Sequence, residues 1–145
     1  MIEAVQFRAE SRALHTLLAD LPAERFSEAT QFKGWTIDDL LGHLHFWNGM
    51  AALQIEDEAE LQARLDDMLK AIGAGTSMRE AENGYLGSLF GPDLLSAYLE
   101  RSEQVANLFA AADPKARLKW AGPEMSARSS ISARFMETWA HAQAV

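Results

Sequence analysis

Apolar residues recur along this chain at spacings of three and four, the period of helices buried on one face. Ile2, Val5, Leu14, Leu17, Leu18 and Leu21 form the first such stripe, and Pro22 stops it. Residues 22–35 carry turn and polar side chains. Thr36, followed three positions later by Asp39, predicts an N-cap with an acid in the first helical turn. The second helix runs from there to about Gln54, on an apolar face of Ile37, Leu40, Leu41, Leu44 and Trp47. From Glu58, the stripe Leu61, Leu65, Met68, Leu69 and Ile72 predicts another helix, closed by Gly73 and Gly75. Ser77 and Glu80 have the spacing of a capping box that opens a shorter helix, and Gly84, Gly87 and Gly91-Pro92 make its end irregular. Asp93 opens the third long helix, through Leu94, Leu95, Tyr98, Val105, Leu108 and Phe109, ending before Asp113-Pro114. A turn-rich stretch around Trp120-Ala121-Gly122-Pro123 follows, and Ser126 caps a last helix that continues through Ala140 and beyond.

No segment alternates convincingly with a period of two, and no repeat or low-complexity tract interrupts the pattern. The expected fold class is therefore all-α: a four-helix bundle with a long helical crossover between the second and third main helices. A single domain over residues 1–145 is expected, since a chain of this length buries roughly 68–70% of the surface it exposes unfolded.

Composition narrows the function. Hydrophobic residues make up 48% and charged residues 23%, as in ordinary soluble globular proteins. No run reaches the roughly 18–20 apolar residues that span a bilayer, and the first residues lack a basic and then apolar secretory leader. A cytoplasmic location is expected. The net charge is −8 and the pI near 4.9, with Glu56, Asp57, Glu58 and Glu60 crowded at one solvated helix start. Phosphate backbones and anionic membranes are held by basic side chains, so neither nucleic acid nor membrane is an expected partner. The chain has no cysteine, so any thiol chemistry must use an external thiol.

Two segments carry candidate chemistry. In A-R-F-M-E-T-W-A-H, residues 133–141, Glu137 and His141 are four apart and rise from one face of a helix, a single turn apart. Alone, such a pair is more often a surface contact than a metal site. Phe135, Met136, Trp139 and Ala140 predict that this helix is largely buried, and a buried carboxylate needs a cation or several donors to offset its desolvation. A metal ion is one such cation and Arg134 another. Arg134 could orient the carboxylate, bind an acidic substrate or form a plain salt bridge. His43, in G-W-T-I-D-D-L-L-G-H-L, residues 34–44, is either a satisfied core histidine or a third ligand. Measured along the helices, His43 lies about 10 Å into the second, and Glu137 and His141 roughly 16 and 22 Å into the last. Antiparallel packing would bring all three to one level. His45 is turned about 200° from His43 and, with His15, stays out of the site. Trp35, Trp47, Trp120 and Trp139 read most simply as packing residues. No Ser-His-Asp or phosphate-loop pattern is present.

These two segments, together with W-A-G-P-E-M-S-A-R between them, resemble the metal-binding domain of mycothiol-dependent maleylpyruvate isomerases, within the wider DinB/YfiT-like group. The resemblance runs from the first helix to the last. It implies a DinB-like bundle with an up-down-down-up path, the extra helices of residues 57–91 forming the crossover. It also implies a divalent metal held by His43, Glu137 and His141, leaving a position open for water or substrate. Two imidazoles and a carboxylate suit zinc, and also admit nickel or iron, over magnesium or calcium. The expected partners are a low-molecular-weight thiol and an electrophilic substrate, in a thiol-dependent isomerase or transferase that can be homodimeric. Family members commonly continue into further C-terminal sequence, so residues 1–145 are expected to be either the N-terminal part of a longer protein or a minimal member. A metal-binding or dimerising helical module without catalysis is the alternative.

Overall fold

The computed structural model describes all of residues 1–145. Three of its helices begin at the caps read from the sequence, Thr36, Ser77 and Ser126. The first helix of the chain, α1 (Ile2–Leu18), is followed by a short 3-10 turn over Ala23–Ser27. The second, α2 (Ile37–Glu56), opens on a reciprocal capping box: Thr36 Oγ1 accepts from the Asp39 amide at 3.0 Å and Asp39 Oδ2 accepts from the Thr36 amide at 3.0 Å. Asp57 caps α3 (Glu58–Gly73) and Ser77 caps α4 (Met78–Leu86), each side chain accepting an amide of the first turn. Pro92 sits in the first turn of α5 (Gly91–Ala111), where its missing N–H costs nothing. Ser126 caps α6 (Ala127–Ala142) through the Ser129 amide.

The long helices α1, α5, α2 and α6 pack in that order around a closed ring. Cross-links fix their directions. On α2 and α5, Asp38 meets Gly91, Asn48 meets Ser102 and Glu56 meets Gln104, so these helices run parallel. Arg8 with Asn107 and Arg12 with Glu103 make α1 and α5 antiparallel. Gln54 with Ser130 and Asn48 with Arg134 make α2 and α6 antiparallel. The path is up-down-down-up, with α3 and α4 forming the crossover, as the bundle reading expects. Phe7, Ala51, Val105, Phe109 and Ile131 fill one end of the bundle, and Leu14, Leu18, Phe26, Leu44, Leu94 and Tyr98 the other. A third cluster, Phe46, Met50, Leu61, Leu65 and Met68, glues α3 to the outside of α2.

Several expectations need correction. The buried line of α1 is Ala4, Phe7, Ser11, Leu14 and Leu18, a three-four repeat that leaves Ile2, Val5 and Leu17 about 60% exposed beside it. On α3, Leu69 and Ile72 overshoot the surface of α2 and are exposed. The last helix is the largest departure: Met136, Trp139 and Ala140 face outward, and the buried face is Ala127, Ser130, Ile131, Arg134, Thr138 and His141. Residues 117–126 also form a strand pair that the pattern did not suggest, Arg117–Leu118 (β1) against Met125–Ser126 (β2). Two-residue strands are too short to show alternation. The hairpin is tied to α2 by Gln54 Nε2, which donates to the Lys119 carbonyl at 2.8 Å.

Candidate metal centre

A line of polar contacts runs along the antiparallel seam between α2 and α6. Its rungs are Gln54 with Ser130, then Asn48 with Arg134, then His43 with Glu137 and His141. At the last rung one ligand atom from each of His43, Glu137 and His141 lies within 4.8 Å of the others. Glu137 Oε2 is 3.1 Å from His141 Nε2 and 3.9 Å from His43 Nε2. The hydrogen bond from His141, aided by Arg134 and His43, holds the Glu137 carboxyl below its usual range although half its surface is buried. It is an anion at neutral pH. The sequence reading thus named three side chains that the fold brings together.

The orientation of His43 is set by a residue the sequence reading missed. Glu82 is fully buried, delivered by α4 of the crossover. A Cβ at Gly42 would stand only 3.0 Å from Leu86 of α4, so the missing side chain lets the crossover come this close to α2. Glu82 Oε2 accepts from His43 Nδ1 at 2.8 Å and from Trp47 Nε1 at 2.6 Å, while Oε1 accepts from Arg79, which also reaches Asp39. Burial alone would raise the Glu82 carboxyl, but these hydrogen bonds and the charge of His43 hold it below its ordinary value. An ionised carboxylate only accepts, so His43 carries a hydrogen on Nδ1, and its neutral form presents the Nε2 lone pair to Glu137 and His141. This is the carboxylate-histidine arrangement found behind metal-ligating imidazoles. Its sequence signal was faint: one of two acids in a short helix, three residues before Tyr85.

The loop before α2 closes one side of the triad. Trp35 stacks on His141 at 6.2 Å and meets His43 edge-on at 5.4 Å, and Phe32 packs edge-on to His141 at 4.9 Å. His141 Nδ1 is buried without a partner, so the ring's hydrogen bond within the chain is the one from Nε2 to Glu137. On the other side a cavity of about 230 Å³ opens between His43 and Glu137, walled by Trp47 and Trp120, which touch at 5.5 Å, and by Met78 and Met125. The β1–β2 hairpin thus brings Trp120 over the site. Arg134 forms the floor, neither a surface residue nor an ion-pair partner within 4 Å. It is 5% exposed, donates Nε to Asn48 Oδ1 at 3.0 Å, and leaves Nη2 unpartnered. Burial pulls its pKa down to about 10, so the guanidinium is charged at neutral pH. Trp139 is exposed, away from the pocket. His45, as expected, faces away from the triad, and burial with the nearby Arg101 pushes it down to about 4.

Fold and site together define a class: a DinB-like helical bundle with two imidazoles and one carboxylate at the mouth of an aromatic pocket. Two imidazoles and one carboxylate with their ligand atoms in reach of a single point are a donor set that fits a divalent transition metal with a position left open, once His141 carries its hydrogen on Nδ1 instead of donating it from Nε2 to Glu137. The sequence model of the mycothiol maleylpyruvate isomerase N-terminal domain matches residues 7–145, and the chain belongs to that family. Two uncharacterised proteins of Mycobacterium tuberculosis, from different strains, are each 38% identical to it over 135 residues, covering 92% of this chain and 51% of theirs. The chain thus spans about half the length of the curated relatives it matches. Crystal structures of a mycothiol-dependent maleylpyruvate isomerase and of its histidine-to-alanine mutant share the fold. Their TM-scores are 0.68 and 0.69 at 20% and 19% identity, over 98% of this chain and 58% of theirs.

Proposed function

We propose that this chain is a divalent-metal-binding domain in which His43, Glu137 and His141 hold the ion, zinc first and nickel or iron next, for a thiol-dependent isomerase or transferase reaction. The observation that carries the reading is the convergence of the three ligand atoms, with His43 already locked by Glu82 in the tautomer that offers Nε2. A metal bound there would lower the pKa of a coordinated thiol or water enough to give a nucleophile at neutral pH. The chain's own residues supply the rest. Trp47 and Trp120 exclude water from one side of the pocket and present flat apolar walls to a small electrophile. Arg134, charged and without a carboxylate partner, offers positive charge to an acidic group entering above it.

The thiol must come from outside, because the chain has no cysteine. Mycothiol is the first candidate, given the names of the family and of the solved isomerases, and a small unsaturated acid the first electrophile. Small thiols are abundant in reducing compartments, which favours the cytoplasm. No helix is long and apolar enough to cross a membrane. A homodimer completes the proposal.

The test is elemental analysis of protein purified without a metal-affinity column, beside His43→Ala and Glu137→Ala. One transition-metal ion per chain, lost in both folded variants, is expected, followed by metal-dependent consumption of mycothiol with an activated alkene. A folded protein that takes up no zinc or nickel would end the metal reading. A metal-loaded protein with no turnover of any thiol would leave a binding module without catalysis.

A further inference from the structure

The opposite side of α2 carries a second cluster of unpaired donors. His45 is 9% exposed, neither of its ring nitrogens has a hydrogen-bond partner, and Nδ1 is sealed from solvent. Beside it lies Arg101 of α5. Of the nine arginines, six pair with a carboxylate, Arg117 bonds a backbone carbonyl and Arg134 bonds Asn48, which leaves Arg101 alone with no acceptor. In a chain of net charge −8 a half-buried guanidinium without an acid is unexpected.

Its seat is built into the sequence. A Cβ at Gly49 would collide with Nη1 of Arg101, so the guanidinium lies where α2 has no side chain. A glycine inside a helix costs about 1 kcal/mol relative to alanine, and here it makes room for the cation. A third donor comes from α3. Arg64 uses Nε for Glu60, rests over the Tyr85 ring at 5.2 Å and keeps its terminal nitrogens free. His45, Gly49, Arg64, Tyr85 and Arg101 line a cleft of about 190 Å³, with Phe46 and Leu86 as its apolar wall and no carboxylate among the lining residues. Glu100 borders an adjoining outer groove that also touches His45 and Arg101.

We propose that this cleft is a binding site for a phosphate group, with Arg101 and Arg64 as charged donors and the His45 imidazole as a neutral N–H donor. Donors from three helices line one cleft from different sides, an arrangement that suits the oxygens of a tetrahedral anion. The cleft is too small for a folded chain segment and large enough for phosphate. The phosphate can be free, or the head of a monoester whose organic part lies in the outer groove.

Amide NMR shifts recorded while metal-free protein is titrated with inorganic phosphate, in chelator and at constant ionic strength, test this. Saturable shifts are expected at residues 45–49, 64 and 101, with affinity falling at least about tenfold in Arg101→Gln and in Gly49→Ala, which displaces the guanidinium from its seat while keeping its charge. Glu100→Gln should tighten binding, and Glu137→Gln, at the metal centre, should leave it unchanged. Tighter binding of glycerol phosphate than of phosphate would assign the monoester, and equal binding free phosphate. Shifts that do not saturate, or an affinity unchanged in both Arg101→Gln and Gly49→Ala, would overturn the proposal. These outcomes are independent of whether the triad binds metal.

Discussion

The bundle has two kinds of seam. At the end of the bundle where α1 and α5 meet α2 and α6, the apolar side chains of Phe7, Val105, Phe109 and Ile131 pack on one another, and the Arg8 and Arg12 bonds of α1 to α5 lie at the exposed edge. Between α2 and α6 the rungs are amide, hydroxyl, guanidinium, imidazole and carboxylate. The first seam gains its free energy from buried area, roughly 1.5–3 kcal/mol for each large side chain. The second gains little net stability, because each polar pair only replaces bonds to water. What it gains is placement: a charged Arg134 and three ligand atoms held along one line. Stability and chemistry thus occupy different faces of α6, and substitutions should separate them.

The largest effect is expected at the apolar seam. Phe109→Ala removes a fully buried ring and should cost about 3–5 kcal/mol, or roughly 10 °C or more in Tm, while molecules that stay folded keep one metal ion each. Calorimetry with metal analysis checks both. Loss of metal in proportion to stability would mean the two seams are not separable.

Glu82→Gln comes next and acts in the opposite sense. A glutamine amide facing His43 Nδ1 favours the tautomer with hydrogen on Nε2, the atom that must be bare to bind a metal. Metal affinity should drop about 10–100-fold, read by competition with a chelator, with the helical signal unchanged. An unchanged affinity would remove Glu82 from the account of the site. The same residue sets an acid limb. Its folded pKa lies below the ordinary carboxylate value, so its contribution to stability is complete above about pH 4.3 and is lost as pH falls through the folded value. Metal-free wild type should therefore lose stability more steeply than Glu82→Gln below that pH.

How much of this was legible differs between the seams for the same physical reason. Helix periodicity reports apolar burial, so α2 with its Thr36–Asp39 box and the body of α5 were readable from Leu40, Leu44, Val105 and Phe109, whereas α5 begins at Gly91, two residues before Asp93, with no side-chain cap. The triad was readable because a four-residue spacing fixes Glu137 and His141 on one face, and helix heights with antiparallel packing admitted His43, which the resemblance then supported. Glu82 was not readable, since its burial is created by α4 folding back over Gly42 and no local pattern reports a contact 39 residues away. Nor was the inner face of α6. Its apolar letters, Met136 and Trp139, sit outside, and its polar ones, Ser130, Arg134 and Thr138, are buried because α2 presents Gln54 and Asn48 to them.

The smallest effect tests that inversion directly. Met136 lies on α6 beside Glu137, looks like a core residue in the sequence and is 54% exposed in the fold. Met136→Gln keeps a long, unbranched helix former at an exposed position, so stability should change by no more than about 0.5 kcal/mol and metal content not at all. On its neighbouring turn Ser130→Leu replaces a small buried hydroxyl, 2% exposed, that bonds Gln54 Oε1 at 2.5 Å. That change both overfills the seam and strands a buried acceptor, two penalties of about 1–3 kcal/mol each. The more hydrophobic variant should thus be the less stable one. A loss above 1 kcal/mol in Met136→Gln would instead place that methionine against a partner surface in solution, and analytical ultracentrifugation of the variant would show whether the partner is a second copy of the chain.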